Sequence, residues 1–526
     1  MNSISAATRS PAVHGHARLR LAAAAAGLYL AGVAAHFWAL RLPYYWDEAG
    51  YFVPAALDLF RHGWWVPRST LANGHPPLVM AALALAWRLA GYHFWVTRGL
   101  MLGFYAALIG GSWRLAHTLF GRRAAGFAAL LAACAPLVFA QAPLAQLDLP
   151  AAAFVIWALE GRYRGRPWLY AAFAAAACLA KETAVLLPFS LALADLARAA
   201  RVPKQKHAPP TPERGWPRQM LAAVWLHVST LLPLLGWLAY YHAATGYWFG
   251  NAGFLAYNLG FSWKRLLLSL LRRLWQLFVY NGAWLAMGLG IWGWRRRSRA
   301  PHATPEFPSP GGPRPAAEFC LLVAIYLLFH AAVGGAVLAR YLLPAEAALL
   351  VLLGAGLSWL PRPQLALAAC VVLFVGNWFW RAPYPYPYED NLAYVNFIEL
   401  QQQAANQLES LPTRLQPVLT AWPATNELTT PALGYVRHPL QVAAVDNFNP
   451  RHLAKLPPFH SALLYSRQYQ PPQPNLPWWR AWRRWVEHAF NYQPMLGRRA
   501  LLRRLRLRVI WQARRQGQWA LIAVPR

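Results

Sequence analysis

Apolar runs recur along the chain from Leu19 to Trp380 and stop at Arg381. Many of them reach the roughly 20 residues needed to cross a hydrocarbon layer about 30 Å thick. A chain patterned in this way folds as a helical bundle, because backbone polar groups in lipid must be paired within their own segment. With 57% hydrophobic and 13% charged residues among 526, it is too apolar for one soluble domain and fits a membrane protein with a modest soluble part. Counting runs at typical span length gives about eleven transmembrane helices. The expected layout is a cytoplasmic segment at 1–18, a transmembrane region at 19–380 whose first external loop covers 41–93, and a C-terminal domain at 381–526.

The 50 Lys and Arg outnumber the 18 Asp and Glu, for a net charge of +32. Such an excess suits nucleic acid, anionic lipid or phosphate-bearing substrates. The placement of the charges decides between these. Gly121-Arg122-Arg123, Arg162 to Arg166 and Arg295-Arg296-Arg297 sit at span ends, where they act as cytoplasmic orientation signals and membrane-lipid contacts. Nucleic acid is therefore not an expected partner. Cys134, Cys178, Cys320 and Cys370 all fall in apolar runs, as small core residues do. Leu19 to Leu40 is long enough to span and lacks a small-residue cleavage site, which predicts a retained first helix.

Placing Arg9, Arg18 and Arg20 in the cytoplasm delivers Arg41 to Gly74 outside. The short run His75 to Ala90 begins with prolines. If it lies along the interface, Arg122-Arg123 stays inside, so the first external loop is expected to carry amphipathic interfacial helices. The spans then alternate so that Asp148 and Lys181-Glu182 share the external side with Asp47-Glu48. Cytoplasmic loops are expected around Lys204 and Lys206 and across the Pro-rich Ala300 to Pro315. Trp263 to Leu274 is suited to the membrane surface. Beyond Arg381 the pattern predicts a helix over Val395 to Leu411, strands at Pro417 to Ala421 and Leu440 to Val445, a Trp-rich basic helix near Pro477 to Phe490, and a closing strand pair, Leu505 to Gln512 and Trp519 to Val524. This outlines a small α/β domain.

A carboxylate at the edge of hydrocarbon is costly unless paired, hydrated or coordinated, so Asp47-Glu48, Asp148 and Glu182 are candidate site residues. Asp47 and Asp148 can each also be read as helix caps. What favours a site is the set: acids from separate loops on one side, with His75, Arg98, Lys181 and Arg340 at the same depth. His75 alone reads equally as a structural hydrogen-bonding residue, and Arg340-Tyr341 as an interfacial anchor. Carboxylates beside clustered cations suit transfer from a phosphate leaving group to a hydroxyl. One carboxylate takes the acceptor's proton, while cations, or a metal held by acids and His, stabilise the phosphate charge.

Tyr45-Trp46-Asp47-Glu48-Ala-Gly-Tyr51, Gly74-His75-Pro76-Pro77-Leu78, Arg98, Asp148-Leu-Pro150, Leu-Ala-Lys181-Glu182-Thr and Arg340-Tyr341-Leu-Leu-Pro344 together resemble the GT-C membrane glycosyltransferases. The group they are most similar to is that of the protein O-mannosyltransferases and lipid A aminoarabinose transferases, a glycosyltransferase family 39-like set. The resemblance covers Leu19 to about Pro344. It implies a GT-C-like bundle, a polyprenyl-phosphate sugar donor, a lipid, glycan or protein acceptor, and a site facing the periplasm of a bacterial inner membrane. It further implies Asp47 as the base, Glu48 and Asp148 as further acidic contributors, Arg98, Lys181, Arg340 and Tyr341 at the donor phosphate, and His75 and Glu182 shaping the site. A divalent metal ion held by Glu48, Asp148 and His75 is allowed by the same resemblance. Two other classes compete: a transporter, against which stands the clustering of charges at one face, and a non-catalytic scaffold displaying the external tail.

Overall fold

The computed structural model describes residues 11–72, 74–201, 224–253, 262–299, 314–333, 335–382, 384–471, 474–490 and 492–526. The expected cytoplasmic features at Arg9, at Lys204 and Lys206 and over 300–313 lie outside these residues. Among the described residues, four helices are long and apolar enough to cross a membrane: Phe94–Cys134, Glu182–Ala200, Pro315–Ala332 and Ala339–Ser358. Shorter apolar helices, Ala22–Ala35, Leu78–Ala90, Pro167–Ala180 and Pro363–Asn377, accompany them. The chain is a multi-pass helical membrane protein, but the count of eleven spans is not reproduced. The kinked element Phe94–Cys134 is two helices that meet at Gly121 (φ 87°); they run back along each other, the Tyr105 hydroxyl donating to the Ala133 carbonyl at 2.7 Å, so the two runs expected on either side of Gly121 are separate helices. The count falls short elsewhere, where Pro and Gly shorten several runs below full span length.

Helix Leu343–Ser358 is the axis of the bundle. All of its residues except Glu346 are buried, and it packs against Phe94–Cys134 and Ala283–Ser298. Small residues let the backbones approach: a Cβ added at Gly293 would lie 1.8 Å from the Gly356 carbonyl oxygen. This is the close contact that glycine permits between helices in lipid. Leu78–Ala90 buries Val79, Leu83 and Trp87 and exposes Leu85 and Leu89. It packs on Val53–His62 as well as on the kinked helix.

The C-terminal residues form a five-stranded sheet in the order β2-β1-β3-β5-β4, with β1 Val418–Ala421, β2 Val442–Val445, β3 Ser461–Tyr465, β4 Leu507–Arg515 and β5 Gln518–Pro525. β1 pairs in parallel with β2 and β3, and β5 pairs antiparallel with β3 and β4. Helix Ala393–Glu409 covers β4 and β5. The central β3 was missed by sequence: Ser-Ala-Leu-Leu-Tyr is buried on both faces, so it lacks the alternation that marks a half-buried strand. The sheet domain shares a core with the first loop, where Tyr44, Tyr45 and Ala49 cluster with Phe397, Leu433 and Tyr435. Gly50 allows this approach, since a Cβ there would lie 2.5 Å from the Trp422 ring.

Candidate active site

Asp47 and Glu48 follow Trp46, whose φ of 51° is left-handed. A bulky residue there costs about 1–3 kcal/mol and persists only where its surroundings over-determine it. Here Trp46 packs on Tyr45, Phe397 and Trp422, and the Arg467 guanidinium lies 5.0 Å from its ring centroid. The turn sends the two adjacent carboxylates to different partners. Asp47 stands at the N-cap of Glu48–Phe52 without a side-chain cap hydrogen bond, and Asp148 is the first residue of its helix, whose N-cap is Leu147, so the capping alternative describes neither residue.

Asp47 pairs with the Arg340 Nη2. The same guanidinium has its Nη1 3.6 Å from Asp148 Oδ2 and its Nε 3.0 Å from Glu389 Oε1. Lys181 donates to Asp148 Oδ1, and its Nζ lies 4.1 Å from the Tyr341 ring centroid, over which Arg340 and Arg273 also sit, at 5.5 and 5.8 Å. Arg340, Asp148, Lys181 and Glu389 are buried, whereas the Asp47 side chain keeps 17% of its accessible surface. Asp47 is thus the acid of this cluster that remains open to a reactant. The members stand at helix ends or in the short turns beside them. Asp148 opens Asp148–Tyr163, Lys181 closes Pro167–Ala180, Arg340 lies in the turn before Leu343–Ser358 and Glu389 in the turn Tyr388–Asp390 before Ala393–Glu409. Buried side chains held in this way need little reorganisation when charge develops.

Glu48 goes elsewhere. It accepts hydrogen bonds from the Tyr45 N–H at 2.8 Å and the Ala145 N–H at 2.5 Å and pairs with Arg98. Arg98 also donates to the carbonyls of Pro43 and Pro143, each at 2.8 Å. Both side chains are buried, at 0% and 1% exposure. Glu48 and Arg98, expected at the acid and phosphate positions of the site, are thus placed in a closed clamp that joins the first loop to the loop before Asp148. His75 and Glu182 pair at 2.9 Å and are partly exposed, beside a cavity of about 20 Å³ lined by Phe52, Trp65, His75, Trp237 and Tyr241. The expected metal set is not brought together, since Glu48, Asp148 and His75 are committed to Arg98, Lys181 and Glu182. Among the described residues no group of three or more His, Cys, Asp or Glu is arranged to hold an ion.

Three residues were missed by sequence reading. Glu389 and Asp390 stand in Tyr386-Pro-Tyr-Glu-Asp390, an aromatic and acidic echo of Tyr44-Tyr-Trp-Asp-Glu48. Two of only 18 acids, adjacent and just past the last apolar run, were the available signal. Gln146 donates to Glu389 Oε2 at 3.1 Å and Tyr280 to Asp390 Oδ2 at 3.0 Å. Burial raises both carboxyls, with Arg340 opposing the shift of Glu389, and Asp390 is pushed up to about 7. Arg273, read by sequence as part of a surface helix, is buried and donates to the Leu338 carbonyl at 2.5 Å. At the far end of Asp148–Tyr163, Arg162 pairs with Asp195 at 2.5 Å and with Glu318 at 3.3 Å. The bundle therefore has one ion cluster at each end.

Against known proteins, the sequence profile of the dolichyl-phosphate-mannose-protein mannosyltransferase family matches residues 74–208. The fold is similar to that of ArnT from Cupriavidus metallidurans bound to undecaprenyl phosphate, with a TM-score of 0.56 and 16% identity over 94% of this chain and 97% of that one. The apo ArnT structure gives a TM-score of 0.55 and 15% identity over 97% and 98%. No curated protein matches the chain. The chain thus has the fold of the ArnT structures, and over residues 74–208 it is similar in sequence to the protein mannosyltransferase family, the group that its motifs resemble.

Proposed function

We propose that the protein transfers a sugar from a polyprenyl-phosphate donor to a hydroxyl of a lipid, glycan or protein acceptor, at the periplasmic face of a bacterial inner membrane. The observation that carries this reading is the cluster itself: a partly open Asp47 held against Arg340, with Lys181 and Arg273 gathered over Tyr341. The ArnT relative binds undecaprenyl phosphate, and a lipid phosphate has the chemistry these cations recognise. Asp47 accepts the proton of the acceptor hydroxyl, whose oxygen forms a bond to the anomeric carbon. The bond from that carbon to the phosphate oxygen breaks, and the polyprenyl phosphate leaves with its charge stabilised by the cations. A single displacement of this kind inverts the anomeric centre, whereas retention would require a second carboxylate as nucleophile. Asp148 and Glu389 act by positioning, one on Lys181 and both on Arg340.

The test incubates the purified protein with a panel of polyprenyl-phosphate sugars and follows consumption of each. Turnover of at least one donor is expected. Neither turnover nor donor binding across the panel would contradict the reading.

A further inference from the structure

Large apolar side chains exposed on the C-terminal domain are concentrated in one segment. Of the six among its described residues, five are Leu476, Trp478, Trp482, Trp485 and Tyr492. Helix Pro477–Ala489 has no buried residue. Trp478, Trp482 and Trp485 recur at i, i+4 and i+7 and so form one stripe, with exposures of 64%, 48% and 42%. Trp479, Arg483 and Val486, about 100° round the helix from the stripe, are partly covered, and the stripe itself is left exposed. Arg480, Arg483 and Arg484 stand against a single acid, Glu487. An exposed stripe of this kind marks an interaction surface.

Its position indicates what covers it. The Tyr469 N–H donates to the Tyr386 carbonyl at 3.1 Å and the two rings lie 5.0 Å apart. Tyr386 belongs to the stretch by which the chain leaves the last apolar helix, Pro363–Asn377, where Phe379 and Trp380 are exposed as an interfacial aromatic pair would be. The chain from Tyr469 to Pro477 reaches at most about 29 Å, which keeps the helix near that exit. Tryptophan favours the headgroup level of a bilayer, and arginine favours lipid phosphate.

We propose that helix Pro477–Ala489 docks on an anionic bilayer surface, with its tryptophans at headgroup level and its arginines against lipid phosphates, and so ties the sheet domain to the membrane beside the site. The test measures hydrogen exchange of amides 477–489 in the full chain, in nanodiscs of phosphatidylcholine alone and of phosphatidylcholine with phosphatidylglycerol. Exchange is expected to be several-fold slower with phosphatidylglycerol. Trp478→Ser with Trp482→Ser and Trp485→Ser should abolish the difference while β1 and β3 keep their protection; if that variant unfolds the sheet, Trp482→Ser alone should reduce the difference. Arg480→Gln with Arg484→Gln should also reduce it. Equal exchange of the wild type in the two bilayers would overturn the proposal, as would protection gained only when an acidic protein is added.

Discussion

Asp47 and Glu48 are adjacent in sequence and sit in two regions built on opposite principles. The Glu48 region is closed: one carboxylate and one guanidinium, both buried, share their hydrogen bonds with each other and with backbone groups of two loops. The Asp47 region is crowded but open on one side, with three carboxylates meeting Arg340 and with Lys181 held on Asp148. A clamp of the first kind fixes loop geometry. A cluster of the second kind keeps charges poised that an incoming phosphate and hydroxyl can engage. Adjacency in sequence therefore says little about shared role when a left-handed residue, here Trp46, stands immediately before the pair.

The sharpest way to break this distinction is Glu48→Gln. Removing one partner of a buried pair leaves an uncompensated charge and costs about 3–5 kcal/mol, so thermal unfolding should shift strongly downward. If the stability were unchanged and only turnover fell, Glu48 would belong to the reacting centre. Lys181→Met should act on donor handling. Loss of a charge-assisted contact of about 1.5–3 kcal/mol weakens binding of a polyprenyl phosphate by roughly 10- to 100-fold, read by titration in nanodiscs.

The smallest effect concerns Asp390, whose carboxyl is raised to about 7 by burial beside Glu389. Because the folded state holds this proton at pH values where the unfolded chain has released it, stability from this group is fully present in acid, below the unfolded carboxyl's range, and declines as pH rises to about 7. Asp390→Asn should flatten that decline in an unfolding series across pH. An unaltered slope would show that the Asp390 carboxyl does not govern it.

Much of this organisation was legible in the chain. Few acids in an apolar sequence singled out Asp47, Asp148 and Lys181-Glu182, and the order of basic loops brought them to one end of the bundle. Four of the five strands also followed from short apolar or alternating runs bounded by turn residues. What stayed hidden depended on contacts distant in sequence. Glu389 reaches Arg340 from a turn held against a distant segment, where Gln141 donates to its carbonyl and Gln146 to its carboxylate, each at 3.1 Å, and Arg98 reads as a ligand until Pro43, Pro143 and Glu48 are seen to enclose it. β3 was hidden because a strand buried on both faces carries no period.

The central claim is that Asp47 performs the chemistry that its neighbour only supports. The direct measurement is donor turnover by Asp47→Asn, at a temperature where its unfolding curve overlays that of the wild type. The expected result is a loss of about 10²- to 10⁴-fold in kcat, the usual contribution of a positioned base, with donor-phosphate binding retained. Wild-type turnover by this folded variant would contradict the account.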